Sequence, residues 1–427
     1  MTEECLGCSG YQQMLSRRQF LGAGAASFLG LTMPQLLFGS THGGTADSVI
    51  LLWMAGGQSH IDTWDPKPSR DTHGPIGAIP TAAKGIEISE HLPMIAKQFA
   101  DVSLIRSLTS NEGSHERATY LMHTGYAPLS TFAHAALGST VVKEIGKRQH
   151  DLPAYVSING SPYNVGAGFL GSRFAPFIIH NSTEPAQNLA YHGNVTEKRF
   201  ANRLTLLKEL DKEFAREHRS NQVISDYAKF YKSALRMMHS PAVKAFDLEA
   251  EPKSSRGAYG MNYFGQGVLL ARRLVEAGTR FVEVQLGGWD THYDNFAAVA
   301  TLSSRLDKAM GALLNDLRQS GRLERTLIVL TGEFGRTPVI NKDNGRDHWP
   351  RVWSAVLAGG GVQGGRLIGE SDADGMEPAT RPVEVGELHA TICKAIGVDW
   401  KQYNKAPDGR PIRVVKNKEL QPIYELF

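Results

Sequence analysis

Short apolar runs recur along the chain, and most of them end in glycine or polar residues. Runs of this length, bounded by turn-forming residues, predict buried β-strands. Longer segments between them, such as 264–279 and 303–321, space apolar residues three and four apart and predict amphipathic helices. Alternating helices and strands predict an α/β fold with a mostly parallel sheet covered on both faces. The segments that contain the runs are 47–57, 101–108, 154–160, 281–288, 326–333 and 352–361.

One segment departs from this alternation. Residues 196–250 are rich in charge and have helical spacing, which predicts a helical insertion that lies on the outside of the sheet or forms a helical subdomain. The chain of 427 residues shows no internal repeat, and α/β domains with inserted loops reach this length. We therefore expect one domain over 46–427 with the insertion near 196–250.

The first 45 residues have a different character. Arg17 and Arg18 precede a moderately apolar segment that contains glycine and alanine, which is the layout of a twin-arginine export signal. We expect residues 1–45 to be this signal and the protein to act in the periplasm or outside the cell. The apolar segment is shorter than a membrane span, so a membrane tether is expected only if the signal stays uncleaved.

Charge and cysteine content narrow the class of protein. The net charge is +3, and no dense run of lysine and arginine occurs, so no nucleic-acid partner is expected. Cys5 and Cys8 fall in the predicted signal, which leaves only Cys393 in the exported domain. Because a single cysteine forms no internal disulfide, the apolar core must hold the domain together.

Histidine and carboxylate side chains follow several of the predicted strands. In open α/β sheets, ligands bind beyond the carboxyl ends of the strands, so these loops are expected to converge. Imidazoles and carboxylates gathered there can hold one or two divalent ions, for which we consider Zn, Mn and Ca. The predicted metal ligands are Asp290, His292, Asp347 and His348, with His60, Asp62 and Glu333 as further candidates.

Three further residues are candidates for the chemical step: Ser114, His115 and Arg336. The guanidinium of Arg336 can hold a phosphate or sulfate through two parallel hydrogen bonds, or it can pair with Glu333. Ser114 precedes a predicted helix, where it can act as a nucleophile, contact an anion or cap the helix. The two alternatives for Arg336 and the three for Ser114 remain open at the level of sequence.

Several motifs together resemble a known family. They are the twin-arginine leader, GGQSHIDTWDPKP, GSHERATYLMHTGY, GGWDTH, GEFGRTP and GRDHWP. This set resembles a large family of exported bacterial proteins of unknown function, often described as sulfatase-like, in the alkaline phosphatase superfamily. The resemblance covers nearly the whole chain. It implies an alkaline phosphatase-like α/β/α sandwich with metal-binding loops at the strand ends and hydrolysis of phosphate or sulfate esters.

The chain also departs from active members of that superfamily. They place an aspartate directly after the first strand, where this chain has Ala55, Gly56 and Gly57, and they carry an Asp-His pair where it has Glu333 and Phe334. We therefore formulate two hypotheses. The first is a metal-dependent hydrolase of a phosphate- or sulfate-type ester of a small molecule or glycan, outside the cytoplasm. The alternative is a non-catalytic, degenerate alkaline phosphatase-like protein that binds a glycan or a partner protein.

Overall fold

The computed structural model describes residues 43–146, 151–160, 165–187, 189, 191, 193–217 and 233–427. The chain from residue 42 onward forms one compact unit. The predicted export signal lies almost wholly outside the described residues. Within them, no helix is long and apolar enough to cross a membrane.

The core of the described chain is a mixed sheet of nine strands. They are β1 Ser48–Ala55, β2 Val102–Thr109, β3 Tyr155–Ile158, β4 Phe177–Ile179, β5 Phe281–Gly287, β6 Thr326–Thr331, β7 Trp353–Ala358, β8 Leu367–Ile368 and β9 Val383–Glu384. Their order in the sheet is β8-β2-β7-β6-β1-β5-β3-β4, with β9 also paired to β2. Every pairing is parallel except those of β7, which runs antiparallel to both β2 and β6. The mostly parallel α/β sheet is thus confirmed.

Helices cover both faces of this sheet. The apolar spacing predicted helices within 264–279 and 303–321, and the structure has α6 Tyr263–Glu276 and α7 Asn295–Gln319 there. Four short two-stranded ribbons accompany them; one of these pairs Gly335–Arg336 with His348–Trp349. The helices whose two ends both lie within the described residues are α1 Pro93–Ala96, α2 His115–Thr124, α3 Leu137–Ile145, α4 Glu197–Glu217, α5 Lys253–Tyr259, α6 Tyr263–Glu276, α7 Asn295–Gln319 and α8 Val385–Ile396. The other ribbons pair Ala78–Pro80 with Glu87–Ser89, Glu370–Ser371 with Pro378–Thr380, and Tyr403–Lys405 with Pro411–Arg413.

Alternating side chains divide the core into two layers. In β1, Ile50 and Leu52 face the layer that α6 and α7 cover, whereas Val49 and Trp53 face the layer of α3 and α8. This alternation follows from the two-residue period of a strand, and burial on both faces explains why the runs are almost continuously apolar. Helix α4 falls within the segment 196–250, but 218–232 lie outside the described residues, so the insertion stays a prediction.

The carboxyl ends of β1, β5 and β6 lie side by side, and close backbone contacts hold their loops together. Gly56 has a φ of +112°, and a Cβ there would lie 2.4 Å from the backbone nitrogen of Asp290. At Gly345 a Cβ would lie 1.8 Å from the carbonyl oxygen of His292. Only glycine allows such approaches, which bring the polar loops to one edge of the sheet.

Candidate metal centre

Four side chains from the connections after β2, β5 and β6 surround one point. His115 is the first residue of α2, in the connection that follows β2. Asp290 and His292 follow β5, and His348 lies in the ribbon that follows β6. The sequence predicted that polar residues after the strands converge, and these four residues lie together in the structure.

The Asp290 carboxylate stands at the centre of three imidazoles. Its Oδ2 atom lies 3.2 Å from Nε2 of His115. Its Oδ1 atom lies 3.1 Å from Nε2 of His292 and 3.3 Å from Nε2 of His348. One ligand atom each from His115, Asp290 and His348 fits within 4.8 Å of the others, which is a spacing that a single metal ion can bridge.

The opposite ring nitrogen of each histidine is held by an oxygen acceptor. Nδ1 of His115 lies 2.8 Å from Oε1 of Glu333, and Nδ1 of His292 lies 2.7 Å from Oδ1 of Asp347. Nδ1 of His348 lies 2.8 Å from the carbonyl oxygen of Gly113, which can only accept. The neutral rings therefore carry their proton on Nδ1 and present an Nε2 lone pair to the cluster.

Two contacts show that this arrangement suits a cation. Nε2 of His292 and Nε2 of His348 lie 3.0 Å apart, so two neutral rings in this tautomer would place lone pair against lone pair. The buried Nε2 of His115 makes no hydrogen bond. A proton or a metal ion can relieve each of these two arrangements, and one metal ion can satisfy both at once. The residues present thus fit a metal.

Charge neighbours shift the pKa values in the cluster. Burial would raise the pKa of Asp290, but the hydrogen bond and charge of Arg336, aided by His115 and His292, lower it to about 2. Burial disfavours the charged form of His115, yet the adjacent Glu333 and Asp290 outweigh it and raise the pKa. Burial lowers the pKa of His348. Asp290 is therefore ionised and His348 favours the neutral form that ligation requires.

The cluster is open to solvent on one side. The side chains of Asp290 and Asp347 are 46% and 56% exposed, whereas Glu333 is 3% exposed. The ring of Phe334 packs against the rings of His115 and His348, with centroids 5.0 Å and 4.6 Å away. Phe334 thus supports the imidazoles from the protein side and leaves the solvent side accessible to a small molecule.

Arg336 is fully buried, so its guanidinium faces protein and not solvent. It donates to the carbonyl oxygens of Gly56, Gly57 and Arg346 and to Oδ1 of Asp290. The sequence left open whether Arg336 holds a phosphate or sulfate or pairs with Glu333. In the structure its ion pair is with Asp290.

Other predicted residues lie apart from the four-residue cluster. Asp62 is buried and paired with Arg346, with 2.7 Å between Oδ2 and Nε. His60 is also buried; its Nε2 lies 2.9 Å from the carbonyl oxygen of Gly375, and burial lowers its pKa. Ser114 precedes α2 but is exposed, and its hydroxyl caps no backbone N–H of that helix. Glu333 and Asp347 contact the imidazoles on the side away from the shared Asp290.

Two groups that support the site, the Gly113 carbonyl and Arg346, were not among the residues predicted from the sequence. The Gly113 carbonyl has no sequence signal, because any residue supplies that group. Arg346 directly precedes the candidate pair Asp347 and His348, but its partner Asp62 is 284 positions away. That pairing depends on the fold, so no local pattern reveals it.

The sheet and this cluster define an α/β protein with a candidate histidine–aspartate metal centre at the strand ends. The chain belongs to the family described as protein of unknown function (DUF1501), which matches residues 46–427. This agrees with the family of unknown function that the motifs indicated. A search of curated proteins finds no match.

Several solved structures resemble the chain at low identity. The PsFucS1 sulfatase from Pseudoalteromonas sp. is 13% identical, with a TM-score of 0.38, over 82% of this chain and 68% of that one. An alkaline phosphatase superfamily protein from Vibrio parahaemolyticus is 12% identical, with a TM-score of 0.35, over 85% and 69%. The phosphonate monoester hydrolase SpPMH from Silicibacter pomeroyi is 11% identical, with a TM-score of 0.33, over 88% and 78%.

Proposed function

We propose that the protein is a metal-dependent hydrolase of a phosphate- or sulfate-type ester, carried by a small molecule or glycan, and that it acts outside the cytoplasm. The observation that carries the metal dependence is the convergence of three Nε2 atoms on Asp290, each with its Nδ1 held by an oxygen. The ester class rests on the motif resemblance, and the location rests on the predicted export signal.

The donor set selects among the metals considered. His115, His292 and His348 with Asp290 offer three imidazole nitrogens and one carboxylate, a combination that suits zinc. Calcium prefers six to eight oxygen ligands, which these residues do not supply. We therefore propose zinc first and manganese second. When bound, such an ion polarises an ester oxygen and lowers the pKa of water.

The protein residues prepare this site in three ways. Glu333 and Asp347 accept hydrogen bonds from the Nδ1 atoms of two rings and so fix the tautomer that ligates. Arg336 keeps Asp290 ionised through their direct contact. Phe334 closes the protein side of the cluster, so that an ester approaches from solvent beside Asp290.

We propose water, and not Ser114, as the nucleophile. A serine nucleophile needs a neighbouring base within hydrogen-bonding distance. Within the described part of the chain, the Ser114 hydroxyl makes no hydrogen bond to such a base. Water needs no such partner, since an ion held by His115, Asp290, His292 and His348 would lower the pKa of water.

Metal analysis of the full chain, with and without His348→Ala, tests the proposal. The wild type should hold about one equivalent of zinc, and His348→Ala should weaken binding by at least about 100-fold. His180→Ala, at an exposed position, is the control and should change nothing. Wild-type protein with less than about a tenth of an equivalent, and no uptake of added zinc or manganese, would refute the metal centre.

Turnover separates the two hypotheses for function. Metal-loaded protein should cleave members of a panel of aryl phosphates, phosphodiesters and sulfates, and His292→Ala should abolish that cleavage. Stoichiometric metal binding without cleavage of any panel member would instead support the non-catalytic alternative, in which the cluster binds a glycan or partner protein.

A further inference from the structure

Two arginines near the cluster are completely buried, which is unusual for a charged side chain. Arg336 and Arg346 both have 0% exposure and rank among the largest fully buried side chains of the described residues. Burying a guanidinium is costly unless its donors and its charge are satisfied. The partners of these two side chains therefore indicate what the burial achieves.

Arg336 connects Asp290 to the loop after β1. Nε donates to the carbonyl oxygen of Gly57 over 3.0 Å, and Nη2 donates to that of Gly56 and to Oδ1 of Asp290. Nη1 donates over 3.1 Å to the carbonyl oxygen of Arg346. Four of the five N–H groups are thus used within the protein, which leaves no pair for a substrate anion.

Arg346 connects the loop that carries His348 to Asp62 in the loop after β1. Its guanidinium forms a two-point pair with Asp62, with 2.7 Å from Nε to Oδ2 and 3.0 Å from Nη2 to Oδ1. It also donates to the carbonyl oxygens of Thr337, Pro338, Thr72 and His73. Asp62 is held in turn by Asn295, whose Nδ2 donates to Oδ2 of Asp62 over 2.8 Å.

The two guanidinium groups form one continuous chain of contacts. It runs from Asp62 to Arg346, from the Arg346 carbonyl to Arg336, and from Arg336 to Asp290. His348 lies two residues after Arg346 in the sequence. This series of contacts therefore crosslinks the loops after β1, β5 and β6, which together carry three of the four candidate ligands.

We propose that Arg336 is a positioning residue that sets the orientation of the Asp290 carboxylate towards the metal, and that Arg346 sets the position of His348 through Asp62. This inference rests on the proposed metal centre. The planar fork of arginine matters because it holds three backbone carbonyls and one carboxylate oxygen at fixed angles. A lysine at 336 keeps the charge but supplies a single donor group in place of that fork.

Cobalt(II) substitution of the full chain tests the positioning. Arg336→Lys should weaken cobalt binding by about 10- to 100-fold, the range seen when partners of metal ligands are changed. It should also shift the visible absorption bands of bound cobalt, which report ligand geometry and not stability. Arg346→Lys should shift the bands as well, and it serves as a second test if Arg336→Lys does not fold.

Arg106→Lys is the matched control. Arg106 is 12% exposed and donates to the carbonyl oxygen of Trp64 and pairs with Asp65, none of which are candidate ligands. It should lower stability while leaving the cobalt spectrum unchanged. If Arg336→Lys and Arg346→Lys both give the cobalt affinity and the visible absorption bands of the wild type or of Arg106→Lys, the positioning role is refuted. If the wild type itself binds no cobalt or zinc, the proposed metal centre fails and this inference fails with it.

Discussion

Glu333→Gln changes the more buried of the two carboxylates that accept a hydrogen bond from a candidate ligand. Glu333 and Asp347 both accept from an imidazole Nδ1, over 2.8 Å and 2.7 Å, but Glu333 is 3% exposed and Asp347 is 56% exposed. Glutamine keeps the oxygen that accepts from His115 and from the backbone of Gly56, so the substitution removes charge with little change of shape. Two similar bonds thus differ mainly in their surroundings.

The difference in burial sets the expected magnitudes. The interaction energy of two unit charges is about fourfold larger at the effective dielectric of a protein site than at the same distance in water. We expect Glu333→Gln to weaken zinc binding about 10- to 100-fold, or about 1.4–2.7 kcal/mol. Asp347→Asn should weaken it less than about 5-fold, because solvent screens an exposed charge.

Competition with a zinc chelator measures both affinities. The new amide takes the place of the buried Oε2 of Glu333, which makes no hydrogen bond to the described residues. Its two N–H donors are then buried without acceptors, so we expect a separate stability loss of about 1–3 kcal/mol. Urea unfolding of each variant keeps that loss apart from the affinity. Glu377→Gln is the control, since Glu377 pairs with Arg351. A Glu333→Gln effect no larger than that of Asp347→Asn or of the control would refute the reasoning.

Three further substitutions test other parts of the structure. Asp62→Asn leaves the buried guanidinium of Arg346 without its counter-charge and should cost about 3–5 kcal/mol in urea unfolding. His123 has its pKa raised, because its contact with Glu283 outweighs burial; the pair should therefore stabilise fully below pH 6.5 and lose this contribution as the pH rises through the raised value. The gap in unfolding free energy between wild type and His123→Gln should then narrow at alkaline pH. Ser114→Ala should change stability by less than about 0.5 kcal/mol and leave turnover within about 3-fold of the wild type, as steady-state kinetics will show.

Specific outcomes would contradict these expectations. A cost below about 1 kcal/mol for Asp62→Asn would mean that solvent reaches Arg346. A gap for His123→Gln that does not change with pH would mean that the pair with Glu283 is not an ion pair. Loss of turnover in Ser114→Ala at unchanged metal content would make Ser114, and not water, the nucleophile.

Much of the site could be predicted because it follows from local patterns. Continuous apolar runs indicated strands buried on both faces, and the carboxyl ends of parallel strands meet at one edge. The sequence therefore predicts Asp290, His292 and His348 together as candidate ligands. It indicates His115 for the chemical step instead, because nothing local shows that Nε2 of His115 contacts Asp290 while Nδ1 contacts Glu333.

The roles of the charged side chains could not be predicted in the same way. In the sequence, Arg336 stands three residues from Glu333, and that short separation suggested a pair; in the structure it contacts Asp290. Asp62 resembled a metal ligand, yet it pairs with Arg346 at the far end of the chain. Charge partners are chosen by three-dimensional distance and burial, which the spacing of residues does not encode.

The sequence by itself therefore determined the α/β class, the positions of the main strands and two long helices, and the edge of the sheet at which chemistry gathers. Those properties depend on the period of apolar residues and on the geometry of parallel strands. Only the tertiary structure decided the antiparallel direction of β7, the tautomers of the three histidines and the burial of the two arginines. Each of these depends on contacts between segments far apart in the chain, which form only when the sheet order brings them together.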